Sequence, residues 1–281
     1  MNATDDWYDV SQLTEGSYDI DECTKYGMHL VEGTDRSVLI DTGVGVGDLR
    51  GLVTELVDTP VTVVLTHTHW DHIGAASQFE EVLVSPIERP PDGRIAVDSI
   101  SDEFTHRPGE FARQWTAEGN AFPDGVDPDE YAIEPFEASP VPTAGGLSLG
   151  DRSLEVHHLP GHSPGHLGVL DPKTRVFYGG DIVHVDRGLY VLFEGCSLDD
   201  YLESLATLRD LRDDGVFDVL VTSHNEPLAG AELSVLDELL EGLREIADGE
   251  RDYEVVETTW GRAHSYHIGT SEVLTKTTVR G

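Results

Sequence analysis

Between Leu65 and Gly74 the chain reads LTHTHWDHIG, and four of the six residues from His67 to His72 are metal-ligand types. No other stretch constrains the fold as much. The run before it, Val61-Thr62-Val63-Val64-Leu65, puts Val61, Val63 and Leu65 on one side of an extended chain, and β-branched residues favour a strand. The small residues Gly74-Ala75-Ala76 follow, which suit a helix packed closely on that strand and running to about Phe79. The cluster is therefore expected on a strand-to-helix loop, at the carboxyl end of a strand, where open α/β sheets place their ligands.

In an extended stretch side chains alternate, so His67 and His69 point the same way and can share one cation. Asp71 and His72, on the turn into the helix, can face a second. Imidazole with carboxylate suits zinc, and also iron or manganese.

The rest of the chain supplies more strand ends. Residues 26–40 read as a hairpin turning at Gly33-Thr34-Asp35, closed by Asp41-Thr42-Gly43, with Gly45 and Gly47 keeping the next loop open. Asp48 is placed to cap a helix from Leu49 to Val57. A strand over Leu154–Leu159 runs into Pro160-Gly161-His162-Ser163-Pro164-Gly165-His166. A hairpin around Asp171-Pro172 ends at Gly179-Gly180-Asp181. A helix over 197–211 precedes a strand at 217–221 ending in Thr222-Ser223-His224, then a helix over 231–246 and one or two strands in 253–281. Both halves repeat a plan of strands, a histidine-rich strand end and helices. Sheet-plus-helix layers packed face to face give an α/β fold, an αββα sandwich.

Seven ligands then partition simply: His67, His69 and His162 for one ion, Asp71, His72 and His224 for the other, and Asp181 bridging both. Each ion keeps an open position, as catalytic sites require. His166 and Asp41 are expected behind the ligands, orienting them by hydrogen bonds. His184, three residues after Asp181, is read either as a substrate contact or as a structural residue. His29, His106, His264 and His267 lack ligand spacing, and at least one of His157 and His158 is expected to be surface or core.

The motifs HTHWDH at 67–72, PGHSPGH at 160–166, GGD at 179–181 and TSH at 222–224, with Asp41-Thr42-Gly43, resemble the metallo-β-lactamase superfamily. The resemblance spans nearly the whole chain except 86–140 and the C-terminus. It implies a metallo-β-lactamase fold, two divalent metal ions (zinc first, iron or manganese otherwise) and a bridging hydroxide that attacks a carbonyl or phosphoryl centre. Asp71 would orient that hydroxide or pass a proton to the leaving group, and a helix starting near Ile73 would aim its positive end at the site. Cysteine stands at the position of Asp181 in one group of true β-lactamases, and another group lacks this acid, so antibiotic hydrolysis is disfavoured. The flavodiiron members usually carry glutamate where His69 stands. The chain is closest to glyoxalase II and the lactonases, which implies an ester, thioester or lactone substrate. In lactonases a tyrosine near the metals touches substrate, a part Tyr190 could take if it is not simply packed. The alternatives are a mononuclear iron enzyme resembling persulfide dioxygenases, and a phosphodiesterase.

The 281 residues are read as one domain, with 86–140 inserted and 253–281 as a C-terminal extension. The insert is rich in proline, and Ser101–Gly119 places Phe104, Phe111 and Trp115 at helical intervals. It is equally well a lid lining a substrate pocket or a satellite core. Eighteen basic against 54 acidic residues give a formal net charge of −36, spread along the whole chain. That predicts a salt-adapted, haloarchaeal protein and disfavours nucleic acid as a partner. With no signal-peptide pattern, no ~20-residue apolar run and only Cys23 and Cys196, a cytoplasmic enzyme is expected, acting on a small molecule without membrane attachment, as a monomer or homodimer.

Overall fold

The computed structural model describes residues 7–142 and 146–276. The chain divides into two compact units, Met1–Glu155 and Val156–Gly281, with the boundary inside the strand Ser153–His158.

The first unit is built on a seven-stranded sheet in the order Tyr8–Thr14, Ser17–Glu22, Tyr26–Val31, Ser37–Ile40, Val61–Val64, Val82–Val84, Ser139–Pro140. The first four strands pair antiparallel with one another. From Ser37–Ile40 onward the pairing is parallel, with Leu39 opposite Val63 and Val63 opposite Val82. Val38, Leu39, Ile40, Val63, Val64 and Leu65 are fully buried, as the near-continuous apolar runs of parallel strands require. The two N-terminal strands have no such run: Ser17, Ile20 and Glu22 are the buried positions of SYDIDE, and two of those three are polar. The Asp48 carboxylate caps the helix Leu49–Leu56 by accepting from the Gly51 N–H at 2.9 Å.

After His72 the structure departs from the expected helix. Only one 3₁₀ turn, Ala76–Gln78, forms there. The turn is closed by i to i−3 hydrogen bonds, Ala76 N–H to Ile73 O and Phe79 N–H to Ala76 O, both at 3.1 Å, and the chain is extended by Phe79; ahead of it Gly74 N–H donates to Gly43 O at 2.8 Å and Ala75 N–H to Thr42 O at 3.2 Å. The two backbones approach so closely that a Cβ on Gly74 would lie 2.0 Å from the Val44 carbonyl carbon, and one on Gly45 would lie 2.1 Å from that of Gly74. Gly45 therefore closes this loop instead of opening it, and no α-helix starts near Ile73 to aim its dipole at the site.

Residues 86–140 carry two helices, Val97–Ile100 and Arg107–Ala117, shorter than the Ser101–Gly119 expectation. Phe111 lies 5.8 to 6.2 Å from the rings of Trp70, Tyr26, Trp115, Tyr131 and Phe122, and Trp7 lies 5.6 Å from Trp115. Phe111, Trp115, Phe122 and Tyr131 of the insert thus share one aromatic cluster with Trp7, Tyr26 and Trp70.

In the second unit Leu167–Asp171 pairs antiparallel with Val176–Tyr178, which pairs parallel with Val219–Thr222 and then antiparallel with Asn225–Ala229. The helices Leu198–Asp213 and Val235–Asp248 supply Tyr201, Leu205, Leu208, Leu236, Leu239 and Leu243 to its core. Three strands occupy the C-terminal stretch: Glu254–Thr258, Gly261–Ile268 and Ser271–Lys276. The last pairs parallel with Gly188–Val191. Tyr190 is therefore on a strand. Residues 277–281 of the expected extension lie outside the described residues. Among the described residues no helix is long and apolar enough to cross a membrane.

Candidate metal centre

In the first unit the strand Ser37–Ile40 delivers Asp41 beside the HTHWDH loop. Asp41 is buried and has a φ of 60°, a left-handed conformation that aspartate tolerates better than most residues. Its Oδ1 accepts the Thr66 backbone N–H at 2.7 Å. Its Oδ2 accepts the Thr66 hydroxyl at 2.7 Å and faces Nδ1 of His72 at 2.9 Å. A carboxylate only accepts, so His72 Nδ1 carries the hydrogen. The Thr66 hydroxyl has given its hydrogen to Asp41, so at 3.0 Å from His67 Nδ1 it can only accept there as well. One carboxylate therefore sets both His67 and His72 to present Nε2.

The same loop is held at a second point, where the Thr68 backbone N–H and hydroxyl both donate to Glu88 Oε2, at 2.7 and 2.9 Å. The Thr42 N–H and hydroxyl donate to the His72 carbonyl at 2.8 and 2.9 Å. The ring centroids of His67 lie 4.4 Å from His69 and 4.0 Å from His72. Asp71 is half-buried, with Oδ1 4.0 Å from His72 Nε2. Phe104 of the insert packs 4.6 Å from the His69 ring.

Glu22 is the residue that sequence reasoning missed most completely. Fully buried, it accepts from the backbone N–H groups of Val44, Gly45 and Val46 at 2.7, 3.0 and 2.9 Å, and from Trp7 Nε1 at 2.7 Å. Burial pushes its pKa up, and the four donors pull it only partly back. The segment it gathers is the one that closes on Gly74, two residues after His72.

The second unit holds His162, His166, Asp181, His184 and His224. Three imidazole Nε2 atoms lie near Asp181 Oδ2: His162 at 3.5 Å, His184 at 3.5 Å and His224 at 3.4 Å. These separations exceed a charge-assisted hydrogen bond, which is ~2.7–2.9 Å. They match two ligands on one tetrahedral zinc, whose ~2.0–2.2 Å bonds put donor atoms about 3.4 Å apart. Donor types and spacing both fit a divalent cation. His166 is elsewhere: its Nε2 accepts the Asp181 backbone N–H at 3.1 Å.

The helix Leu198–Asp213 clamps both ligand loops. The Tyr201 hydroxyl donates to the carbonyls of Asp181 and Ile182 at 2.9 and 3.0 Å, and the Ser204 hydroxyl donates to Pro160 O at 2.6 Å. Burial, and then the charge of Asp181, push the Tyr201 pKa up, so it stays a donor. Gly161 is required where this helix passes, since a Cβ there would meet Tyr201 Cα at 2.5 Å. Phe193 lies 6.4 Å from the His162 ring, and Tyr190 and Trp260 pack on Phe193 at 5.7 and 4.8 Å. Of the remaining histidines, His29 pairs with Asp19 at 2.9 Å, His157 packs on Phe177, and His264 stacks on Tyr253.

The family model described as the Metallo-beta-lactamase superfamily matches residues 28–224. The acyl-coenzyme A thioesterase MBLAC2 of Gallus gallus is 29% identical over 238 residues, covering 78% of this chain and 81% of that protein. The hydroxyacylglutathione hydrolase GloC of Haemophilus influenzae is 27% identical over 147 residues, covering 52% and 61%. Among solved structures, a metallo-beta-lactamase from Pontibacter korlensis aligns with a TM-score of 0.56 at 19% identity, over 84% of this chain and 99% of that one.

Proposed function

This chain belongs to the metallo-beta-lactamase superfamily, with that superfamily's α/β sandwich fold and relatives named as hydrolases, and on this premise we propose that it is a binuclear metal-dependent hydrolase of activated acyl compounds, thioesters first. His67, His69, Asp71, His72, His162, Asp181 and His224 would hold two divalent ions, zinc before iron or manganese. Bound there, the ions would supply a water of near-neutral pKa and polarise the acyl oxygen.

The chain's own residues do the rest. Asp41 and Thr66 fix the tautomers of His67 and His72. Tyr201 and His166 hold the Asp181 backbone from either side. Asp71, the more exposed acid, would take a proton from water and return it to the leaving group, and its half-buried position supports this. A thiol leaving group, with a pKa of about 8.5, asks less of that acid than an alcohol does.

The observation that carries the metal reading is the convergence of imidazole nitrogens on Asp181 Oδ2. The thioester preference rests on likeness to MBLAC2 over most of both chains, and the Phe193 ring beside His162, with Tyr190 and Trp260 packed on it, suits an acyl chain. The −36 charge supports a salt-adapted enzyme and argues against nucleic acid as its substrate.

The test is a screen in molar salt, with metal analysis, against acyl-coenzyme A esters, S-lactoylglutathione, p-nitrophenyl esters, lactones and phosphodiesters. Near two metals per chain with fastest turnover on a thioester is the expected result. Near one iron per chain, with persulfide oxidation and no hydrolysis, would replace this reading with the dioxygenase one.

A further inference from the structure

We propose that His184 is itself a metal ligand, sharing an ion with Asp181 and His224. This adds an eighth ligand to the set above and rests on that metal reading.

Three observations carry it. First, His184 is 97% buried, and its Nδ1 lies 2.8 Å from the Gly188 carbonyl. A carbonyl only accepts, so Nδ1 carries the hydrogen, and in the neutral ring that binds a metal Nε2 then presents the lone pair. Among the described residues that Nε2 has no hydrogen-bond partner. Second, the lone pair faces Asp181 Oδ2 at 3.5 Å. Two acceptors this close repel in a buried setting unless a cation lies between them. Third, the ligand atoms of Asp181, His184 and His224 all lie within 4.8 Å of one another, with the His184 and His224 rings 5.3 Å apart and nearly perpendicular.

The backbone is built to keep this arrangement. The Ser271 hydroxyl donates to the His184 carbonyl at 2.7 Å. The next residue, Val185, exchanges two hydrogen bonds with the side chain of Asn225: its N–H donates to Oδ1 at 3.0 Å, and its carbonyl accepts from Nδ2 at 2.6 Å. One asparagine thus ties the residue after His184 to the residue after His224. A histidine that only filled space would not need its segment pinned to a ligand's segment.

The test compares wild type with His184→Asn and His184→Gln. Asparagine keeps a donor near Nδ1 for Gly188 and removes Nε2, while glutamine puts an amide oxygen near Nε2. Protein stripped by chelator and held in molar KCl is titrated with Co(II), read by visible absorption and bound-metal count, with circular dichroism as the folding control. Wild type should take up two equivalents. His184→Asn should bind one of them at least ~10-fold more weakly with a changed visible spectrum, and His184→Gln should fall between. If wild type binds two equivalents and His184→Asn matches it in affinity and spectrum, His184 is no ligand while the metal reading stands. If wild type binds no Co(II), both fall. If His184→Asn does not fold, His184→Gln decides: a wild-type spectrum and affinity overturn the proposal, and a shifted spectrum with weaker binding supports it.

Discussion

Asp41 Oδ2 sits 2.9 Å from Nδ1 of His72, and the same oxygen takes the Thr66 hydroxyl that backs His67. A single buried carboxylate therefore sets the tautomer of two histidines on a loop it does not belong to. Asp41→Asn keeps the shape but puts an amide where one of these oxygens stands. Metal affinity should fall by about 10–100-fold, the range seen when the partner behind a ligand is lost. Competition with a chromophoric chelator measures it. Wild-type affinity in Asp41→Asn would mean that the tautomers are set elsewhere.

Asp181 faces His162, His184 and His224 through one oxygen. If it bridges two ions, Asp181→Ala should lower the occupancy of both, not of one, and reduce kcat/KM by more than the ~100-fold that an outer partner costs. Metal counting by plasma emission alongside a thioesterase assay reads both. Loss of a single equivalent would assign Asp181 to one ion only.

Glu22 gives a prediction in pH. Its pKa is raised in the folded chain, first by burial, so the folded state holds this proton more tightly than the unfolded state does. The stability linked to it is fully present below the ordinary carboxylate range and is lost as pH rises through the raised value. Glu22→Gln removes this dependence and leaves one oxygen to serve four donors, at about 1–3 kcal/mol per buried N–H left unmatched. Urea melts at several pH values should show the gap between wild type and Glu22→Gln narrowing as pH rises. A gap that stays constant would show that Glu22 does not change its proton binding on folding.

What could be read from the chain divides along a physical line. Strands of β-branched residues and the spacing of His67, His69, Asp71 and His72 are local signals, and they located the hairpins, the strand ends and the family. The pieces that hold the site in shape are not local. Glu22 lies 22 residues before Val44, and Glu88 lies 20 after Thr68, so nothing near either marks its partner. The missing helix after His72 has the same origin: Gly74-Ala75-Ala76 favours close packing, but what it packs on is the distant Thr42-Gly43 backbone, and the chain is extended again by Phe79. Tyr26 and Trp7, which complete the aromatic core under the insert, are likewise joined to Phe111 and Trp115 only by the fold.

Salt should stabilise this protein. Two opposing electrostatic effects decide the sign. Exposed pairs such as Arg175 with Asp218, held bidentate at 2.6 Å, and Arg212 with Asp237 weaken as salt is added. Repulsion among the remaining acids also weakens, and with 54 acidic residues against 18 basic ones most acids have no basic partner to lose. Relief of repulsion therefore wins as the Debye length falls from ~10 Å at 0.1 M to ~3 Å at 1 M. Going from 0.1 to 2 M KCl should raise Tm by at least about 5 °C, since 1 kcal/mol moves Tm by roughly 2–4 °C in larger domains. KCl is the right probe because sulfate stabilises most proteins by exclusion from their surface. A Tm that is flat or falling in KCl would mean the acidic surface is not a salt adaptation, and would turn attention to a basic partner for it.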